Sequence, residues 1–114
     1  MKKKNHVIEI VMANITNIKN SSTGNFRKSY VVPGHIKVDK EDEITWEARD
    51  SDATFFFPKP EIFNEKKMVH IVGKGSTLTL PISKNADRGR YSYAVYTDND
   101  DFAEGGSFPK IIIK

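Results

Sequence analysis

The side chains that most often bind metals or act as nucleophiles are few in this chain. It contains no cysteine, which excludes disulfides, thiolate nucleophiles and every metal site that needs a thiolate. The three histidines, His6, His35 and His70, stand in separate strand-like segments with no common motif spacing. We therefore interpret them as solvated or half-buried strand histidines, and we expect no metal cofactor of the three-histidine type.

The sequence supports a catalytic site no better than it supports a metal site. Serine, aspartate and glutamate are frequent, but no histidine stands where it could activate a nucleophile while a third group orients it. Gly73-Lys74-Gly75-Ser76 has the composition of a phosphate-binding loop without its spacing, and it leads into a strand. We interpret it as a hairpin turn. The sequence predicts a protein that is not an enzyme and uses no cofactor.

The elements around these residues are predicted to be strands. Short segments rich in Val, Ile, Thr, Phe and Tyr alternate with turn residues, and no stretch keeps a helical period. Residues 59–67 are the exception, interpreted as one helical turn or a loop. The pattern is typical of an all-β protein with candidate strands at 7–13, 29–32, 35–38, 43–48, 54–57, 68–72, 76–82, 90–96 and 110–113.

Length and charge limit the remaining choices. We assign 1–114 to a single domain, with 1–6 as a flexible basic N-terminus. The net charge of +3 comes from 18 basic and 15 acidic residues without a basic stripe, which argues against nucleic-acid binding. No apolar run reaches the ~20 residues that cross a bilayer, so no membrane insertion is expected. Since no leader is visible, we expect a cytoplasmic protein, or a periplasmic or secreted one if a leader was removed.

A series of motifs narrows the fold. Asp87-Arg88-Gly89-Arg90-Tyr91 puts a turn before a strand whose tyrosine can return its hydroxyl to the turn backbone, as in a tyrosine corner. From about residue 30 onward, with 7–13 as the first strand, the chain resembles the cupredoxins. The resemblance implies a Greek-key β-sandwich of about seven to nine strands. The other motifs that carry it are Val32-Pro33-Gly34, Asp42-Glu43-Ile44-Thr45-Trp46, Phe57-Pro58, Gly89-Arg90-Tyr91-Ser92-Tyr93 and Pro109-Lys110-Ile111-Ile112-Ile113.

The resemblance also locates the copper ligands, which in blue-copper cupredoxins are two histidines, a cysteine and usually a methionine. Counted along this sequence, the four positions fall on Thr54 (or Ala53 if the register shifts by one), Val95, Asp98 and Ser107. None of them matches the ligand it replaces. Without a thiolate there is no type 1 copper site, so the resemblance implies a fold and no electron transfer.

Acidic loops suggest another kind of site. If the cupredoxin register holds, two such loops meet at the pole where copper would lie, and their carboxylates could bind a hard cation such as calcium. Phe102 interrupts the run that begins like a calcium loop, so a solvated acidic turn is the alternative. The candidate cation ligands are Asp50, Asp52, Asp98, Asp100, Asp101 and Glu104.

Three consecutive phenylalanines, Phe55-Phe56-Phe57, point to a contact surface. Strand alternation sends Phe56 to one side of its sheet and its neighbours to the other, so one side exposes aromatic surface. Either the segment 59–67 covers that surface or another chain does.

The leading hypothesis is a copper-free binding or interaction module that contacts its partner through loops at the former copper pole. The partner would be another protein or a second copy. Two alternatives stay open: divalent-cation binding at the acidic pole, and an immunoglobulin-like adhesion or carbohydrate-binding domain with Trp46 as its buried tryptophan. Tyr93 stands where antibody-type domains have a core cysteine, which disfavours that class. Carbohydrate binding would use Tyr96, Phe102 or Phe108.

Overall fold

The computed structural model describes residues 3–15, 26–98, 101–103 and 108–114. Within these ranges the chain forms eleven β-strands and one 3₁₀ turn, Pro60–Phe63, which lies in the segment predicted as a helical turn or loop. No helix in the described ranges is long and apolar enough to cross a bilayer. The strands are β1 Asn5–Ile15, β2 Phe26–Val32, β3 His35–Val38, β4 Glu43–Ala48, β5 Ala53–Phe56, β6 Val69–Val72, β7 Thr77–Pro81, β8 Gly89–Ser92, β9 Ala94–Thr97, β10 Asp101–Phe102 and β11 Lys110–Ile113.

The strands form the predicted sandwich. One layer is a four-stranded sheet in the order β2-β1-β4-β7, with β1 antiparallel to β2 and parallel to β4. The other layer contains the sheets β10-β9-β5-β6 and β3-β11-β8. Strands β8 and β9 are a single run interrupted at Tyr93, whose amide donates to the Pro109 carbonyl at 3.0 Å. That interruption divides the predicted strand 90–96 in two.

The core between the layers is centred on Trp46 of β4, which is fully buried. Four aromatic rings lie within 5.2 to 6.0 Å of the indole, measured between ring centroids: Phe55, Phe57, Phe63 and Tyr93. The indole Nε1 donates a hydrogen bond to the Tyr93 hydroxyl at 3.1 Å, so its buried N–H is satisfied. Burial raises the pKa of Tyr93 in spite of that bond. The two layers are thus joined by packed rings and by buried polar contacts, which include this bond and one between the Ser29 and Thr97 hydroxyls at 2.9 Å.

The predicted tyrosine corner is present. The Tyr91 hydroxyl donates to the carbonyl of Asp87 at 2.7 Å. Gly89, between them, has φ 155°, and a Cβ there would lie 3.7 Å from the Tyr91 ring. Burial, helped by the charges of Asp87 and Glu61, raises the pKa of Tyr91, which keeps the hydroxyl protonated as a donor.

The turn at Gly73–Ser76 differs from the predicted hairpin turn. Strand β6 before it belongs to one layer and β7 after it belongs to the other, so the chain crosses the sandwich here. The Ser76 amide donates to the Gly73 carbonyl at 2.9 Å, and the Gly75 amide donates to the Ala48 carbonyl at 2.7 Å. Glycine is suited to both a hairpin turn and a crossing turn. Core packing decides which strand each strand pairs with, and the local sequence does not show that packing.

Candidate functional site

The positions that correspond to copper ligands are occupied by packing and surface residues. Val95 is fully buried on β9 opposite Phe55, so it fills core volume. Thr54 lies on the outer side of β5, whereas Ala53, one residue earlier, is buried on the same side as Val95. Asp98 is exposed just after β9. Ser107 lies outside the described residues.

The acidic positions are only partly described. The Asp50 carboxylate accepts from the Met12 amide at 2.8 Å, and the Asp52 carboxylate accepts from the Lys74 amide at 2.7 Å. Asp98 lies beside Asp52, since its amide donates to the Asp52 carbonyl at 3.3 Å. Asp100, Glu104 and the side chain of Asp101 lie outside the described part. In what is described, no three His, Cys, Asp or Glu side chains group together as metal ligands. Calcium binding stays a prediction.

The histidines are in three different settings. His6 Nε2 contacts the Asp42 carboxylate at 2.9 Å, and His35 is exposed on β3. The His70 ring lies 5.8 Å from that of Phe57, and its Nε2 is buried without a hydrogen-bond partner among the described residues. The structure does not bring the three together.

The Asp42 carboxylate is a polar centre that the sequence does not single out. Its residue is 4% exposed, and its oxygens accept hydrogen bonds from His6, from the Lys4 amide at 3.2 Å and from the Asp39 amide at 3.0 Å. Burial raises the pKa of this carboxyl, but the hydrogen bonds outweigh burial and hold the pKa below its ordinary value. Two of these partners lie at the beginning of β1 and the third lies in the turn before β4, so the cluster holds the first strand against that turn.

The outer side of the sheet β10-β9-β5-β6 exposes apolar side chains. Cross-strand pairing sets Phe56 between Val69 and Ala94, and sets Thr54 between Ile71 and Tyr96. Four of these residues are well exposed: Phe56 (41%), Val69 (40%), Ile71 (77%) and Tyr96 (39%). None of the six carries a charge. We call this set of six residues the apolar outer face.

The outer side of the opposite sheet is polar by comparison. The Thr45 hydroxyl lies 2.9 Å from that of Thr79, and Glu9 forms an ion pair with Arg49 at 3.0 Å. Glu9 also stands beside Glu47 in the β1–β4 pairing. That side also exposes Val7 and Val32, but charged residues lie among them, whereas the apolar outer face has none.

The segment 59–67 does not cover Phe56. Its residues Ile62 and Phe63 turn into the core instead, where Phe63 lies 4.9 Å from Phe57. Beside Phe56 there is a shallow cleft of about 160 Å³, lined by Pro58, Ser92, Tyr93, Ala94 and Phe108. Phe108 is 55% exposed. The aromatic exposure expected from the phenylalanine triplet is therefore real, and it lies on a sheet as well as in a loop.

The sequence pointed to Phe56 and Tyr96 but missed Val69 and Ile71. These two residues alternate with His70 and Val72 as in any strand, so nothing local says which side faces solvent. Their exposure depends on which side of the sheet faces away from the other layer, since Phe56 on the internal strand β5 is as exposed as Val69. The apolar outer face reaches Thr54, so it adjoins the predicted pole instead of lying within its loops.

Comparison with known proteins supports the fold. No family model matches the chain, and no curated protein matches it. Among solved structures, the reduced copper(I) form of an amicyanin variant at pH 4 aligns with a TM-score of 0.55 and 12% identity, covering all of this chain and 86% of the other. A purple cupredoxin from Nitrosopumilus maritimus aligns with a TM-score of 0.54 and 11% identity, covering 96% and 99%. The chain has a cupredoxin-like fold, and this likeness concerns the fold alone.

Proposed function

We propose that this cupredoxin-like domain is a non-catalytic module that binds another protein through the apolar outer face. The observation that carries the proposal is the uncharged, exposed surface formed by Phe56, Val69, Ile71 and Tyr96. With Phe108 beside it, this surface is a contiguous apolar patch, and the largest such patch on a monomeric protein is often functional. The loops at the pole where cupredoxins bind copper adjoin this surface and would form part of the contact.

The chemistry of the surface favours a protein partner over a small molecule. The cleft beside Phe56 is shallow and small, whereas small-molecule sites are enclosed pockets of ~300–1,000 Å³. Two aromatic rings at the centre of an apolar surface are typical anchors of protein interfaces. A sheet surface with such anchors suits an extended segment or a broad surface of another protein.

Selection from a displayed library of natural protein fragments tests the proposal. Ligands selected on the wild-type domain are measured against Phe56→Ser and against the matched control Val32→Ser. Val32 is 49% exposed and belongs to the opposite layer, so both variants remove one exposed apolar side chain.

We expect selected ligands to bind Phe56→Ser at least tenfold more weakly than wild type and Val32→Ser within twofold. Ligands that bind Phe56→Ser as tightly as wild type, or that lose as much affinity with Val32→Ser, would overturn the proposal.

Absence of catalysis and a cytoplasmic location stay predictions from the sequence.

A further inference from the structure

Strand β6, Val69–Val72, is the terminal strand of the sheet that carries the apolar outer face. It pairs with β5 on one side, and no strand of the described chain pairs with its other side. Edge strands expose backbone donors and acceptors that can pair with another chain. This edge is therefore where an added strand would continue the apolar outer face.

The backbone groups that point away from β5 can be assigned. The Phe57 amide donates to the Met68 carbonyl at 2.8 Å, which makes 57 and 68 a hydrogen-bonded pair. Hydrogen-bonded and non-hydrogen-bonded pairs alternate in an antiparallel ladder, so Val69 and Ile71 direct their N–H and C=O outward. Two donors and two acceptors thus line the edge, about 7 Å apart along the strand.

Lysines flank this edge, and one of them lies beside an aspartate, since the Asp52 carboxylate accepts from the Lys74 amide at 2.7 Å. Lys66 and Lys67 precede β6, Lys74 follows it, and all three are exposed. None of the ion pairs found in the described part of the chain involves them. A strand added here would meet lysines at both of its ends.

We infer that the open edge of β6 binds an extended peptide that has a short alternating apolar segment and acidic residues at both ends. This inference rests on the proposed binding function and names its partner. The peptide adds a strand by backbone hydrogen bonds to Val69 and Ile71, a recognised mode of peptide binding. Its carboxylates lie near Lys66, Lys67 and Lys74, which supply the charge complementarity.

A second copy of the chain fits the edge less well. The two-fold antiparallel pairing that uses all four outward groups sets Val69 of one copy opposite Ile71 of the other. Continued outward, the same register sets Lys66 opposite Lys74, and it does so twice. Like charges directly opposite each other destabilise a strand pair, whereas acidic residues at those places stabilise it.

We take the added strand to run antiparallel to β6, and this pairing decides on which side of the sheet its side chains lie. Residues in a hydrogen-bonded pair place their side chains on the same side of a sheet. The peptide residues that pair with Val69 and Ile71 therefore lay their side chains on the apolar outer face. Those residues should be apolar, and their own N–H groups are the ones that bond to β6.

Synthetic peptides test the inference with the intact domain. The probe is fluorescein-labelled Asp-Glu-Val-Thr-Val-Thr-Val-Glu-Asp, and its charge control has lysine at the four acidic positions. By fluorescence anisotropy at 50 mM salt, we expect the acidic peptide to bind about tenfold more tightly. Because salt screens exposed charges, the difference should shrink at 500 mM salt.

Backbone pairing is tested by methylating the peptide nitrogens. N-methylation of the three valines should abolish binding, because it removes the N–H groups that face β6. N-methylation of the two threonines should leave affinity within threefold. Equal effects of the two methylated peptides would show that no strand is added, and would overturn the inference.

The lysines are tested by the double variant Lys67→Glu with Lys74→Glu, which should reverse the preference toward the lysine-ended peptide. The matched control is Lys40→Glu with Lys84→Glu, two exposed lysines outside the β6 edge, which should leave the preference unchanged. If the lysines serve only to keep edges apart, neither peptide binds, and the inference fails. Library ligands that depend on Phe56 would then still support the proposed function, so the two failures are distinguishable.

Discussion

The Asp42 carboxylate ties together segments that are far apart in the sequence. It accepts hydrogen bonds from Lys4 and His6 at the beginning of the first strand and from Asp39 in the turn before β4. A buried carboxylate with several donors stabilises the fold only while it is ionised. One side chain therefore links the register of β1 to the turn between β3 and β4.

Replacing Asp42 with Asn should destabilise the domain by about 1–3 kcal/mol at pH 7. Both carboxylate oxygens accept bonds, so the new NH₂ group would face a backbone N–H. The lowered pKa means that the wild-type advantage is present above the ordinary value of 3.8 and is lost as the pH falls through the lower folded value. Urea denaturation from pH 7 to pH 2 should show the two proteins converging in acid.

The exposed neighbour provides the control for this experiment. The Asp39 side chain is 59% exposed and lies 3.9 Å from the Lys114 ammonium, so Asp39→Asn should change stability by less than about 0.5 kcal/mol. A difference between Asp42→Asn and wild type that stays constant down to pH 2 would refute the role of the charge.

At the scale of elements, the turn 73–76 carries the chain from one layer to the other. Gly75 adopts φ 85°, and a Cβ added to it would meet no atom within 4 Å. Gly73 has no positive φ, and its added Cβ would lie 3.9 Å from the Asp52 carboxylate. Neither position is crowded, so the two glycines differ in backbone conformation alone.

Gly75→Ala should lower the free energy of unfolding by about 1–2 kcal/mol, because an L-residue is strained in the left-handed region. Gly73→Ala should be neutral or stabilising by up to about 1 kcal/mol, since it restricts the unfolded chain without strain. Thermal and urea unfolding of both variants measure the difference. Equal losses would mean that the turn does not depend on the conformation of Gly75.

At the scale of the whole molecule, Trp46 is the single tryptophan and lies in the core between the layers. We expect its fluorescence and the far-UV circular dichroism to change together in urea, with one midpoint and a slope of about 1–3 kcal/mol per molar urea. Coincident curves would support one domain over 1–114. Two separated transitions would show that the layers unfold independently.

The extent to which the fold could be predicted depended on how local each feature is. The tyrosine corner spans five residues, so Asp87 and Tyr91 identified it directly, and the alternation around Trp46 marked a buried strand. The face exposed by Ile71 could not be predicted in this way. It depends on which strands are neighbours and which side of the sheet faces away from the other layer, and those are properties of tertiary packing. The same reason made the crossing turn at Gly75 look like a hairpin.

The two outer surfaces differ in polarity, so the molecule is amphipathic along the axis perpendicular to its sheets. One surface shows Phe56 and Ile71 without charged residues, and the other shows Glu9 and Arg49 beside the exposed Val7 and Val32. At a boundary between water and oil or air, such a body would adsorb lying flat, with the phenylalanine side toward the apolar phase. Adsorbed molecules would then form an oriented layer, as amphiphiles do, whatever partner the domain binds in solution.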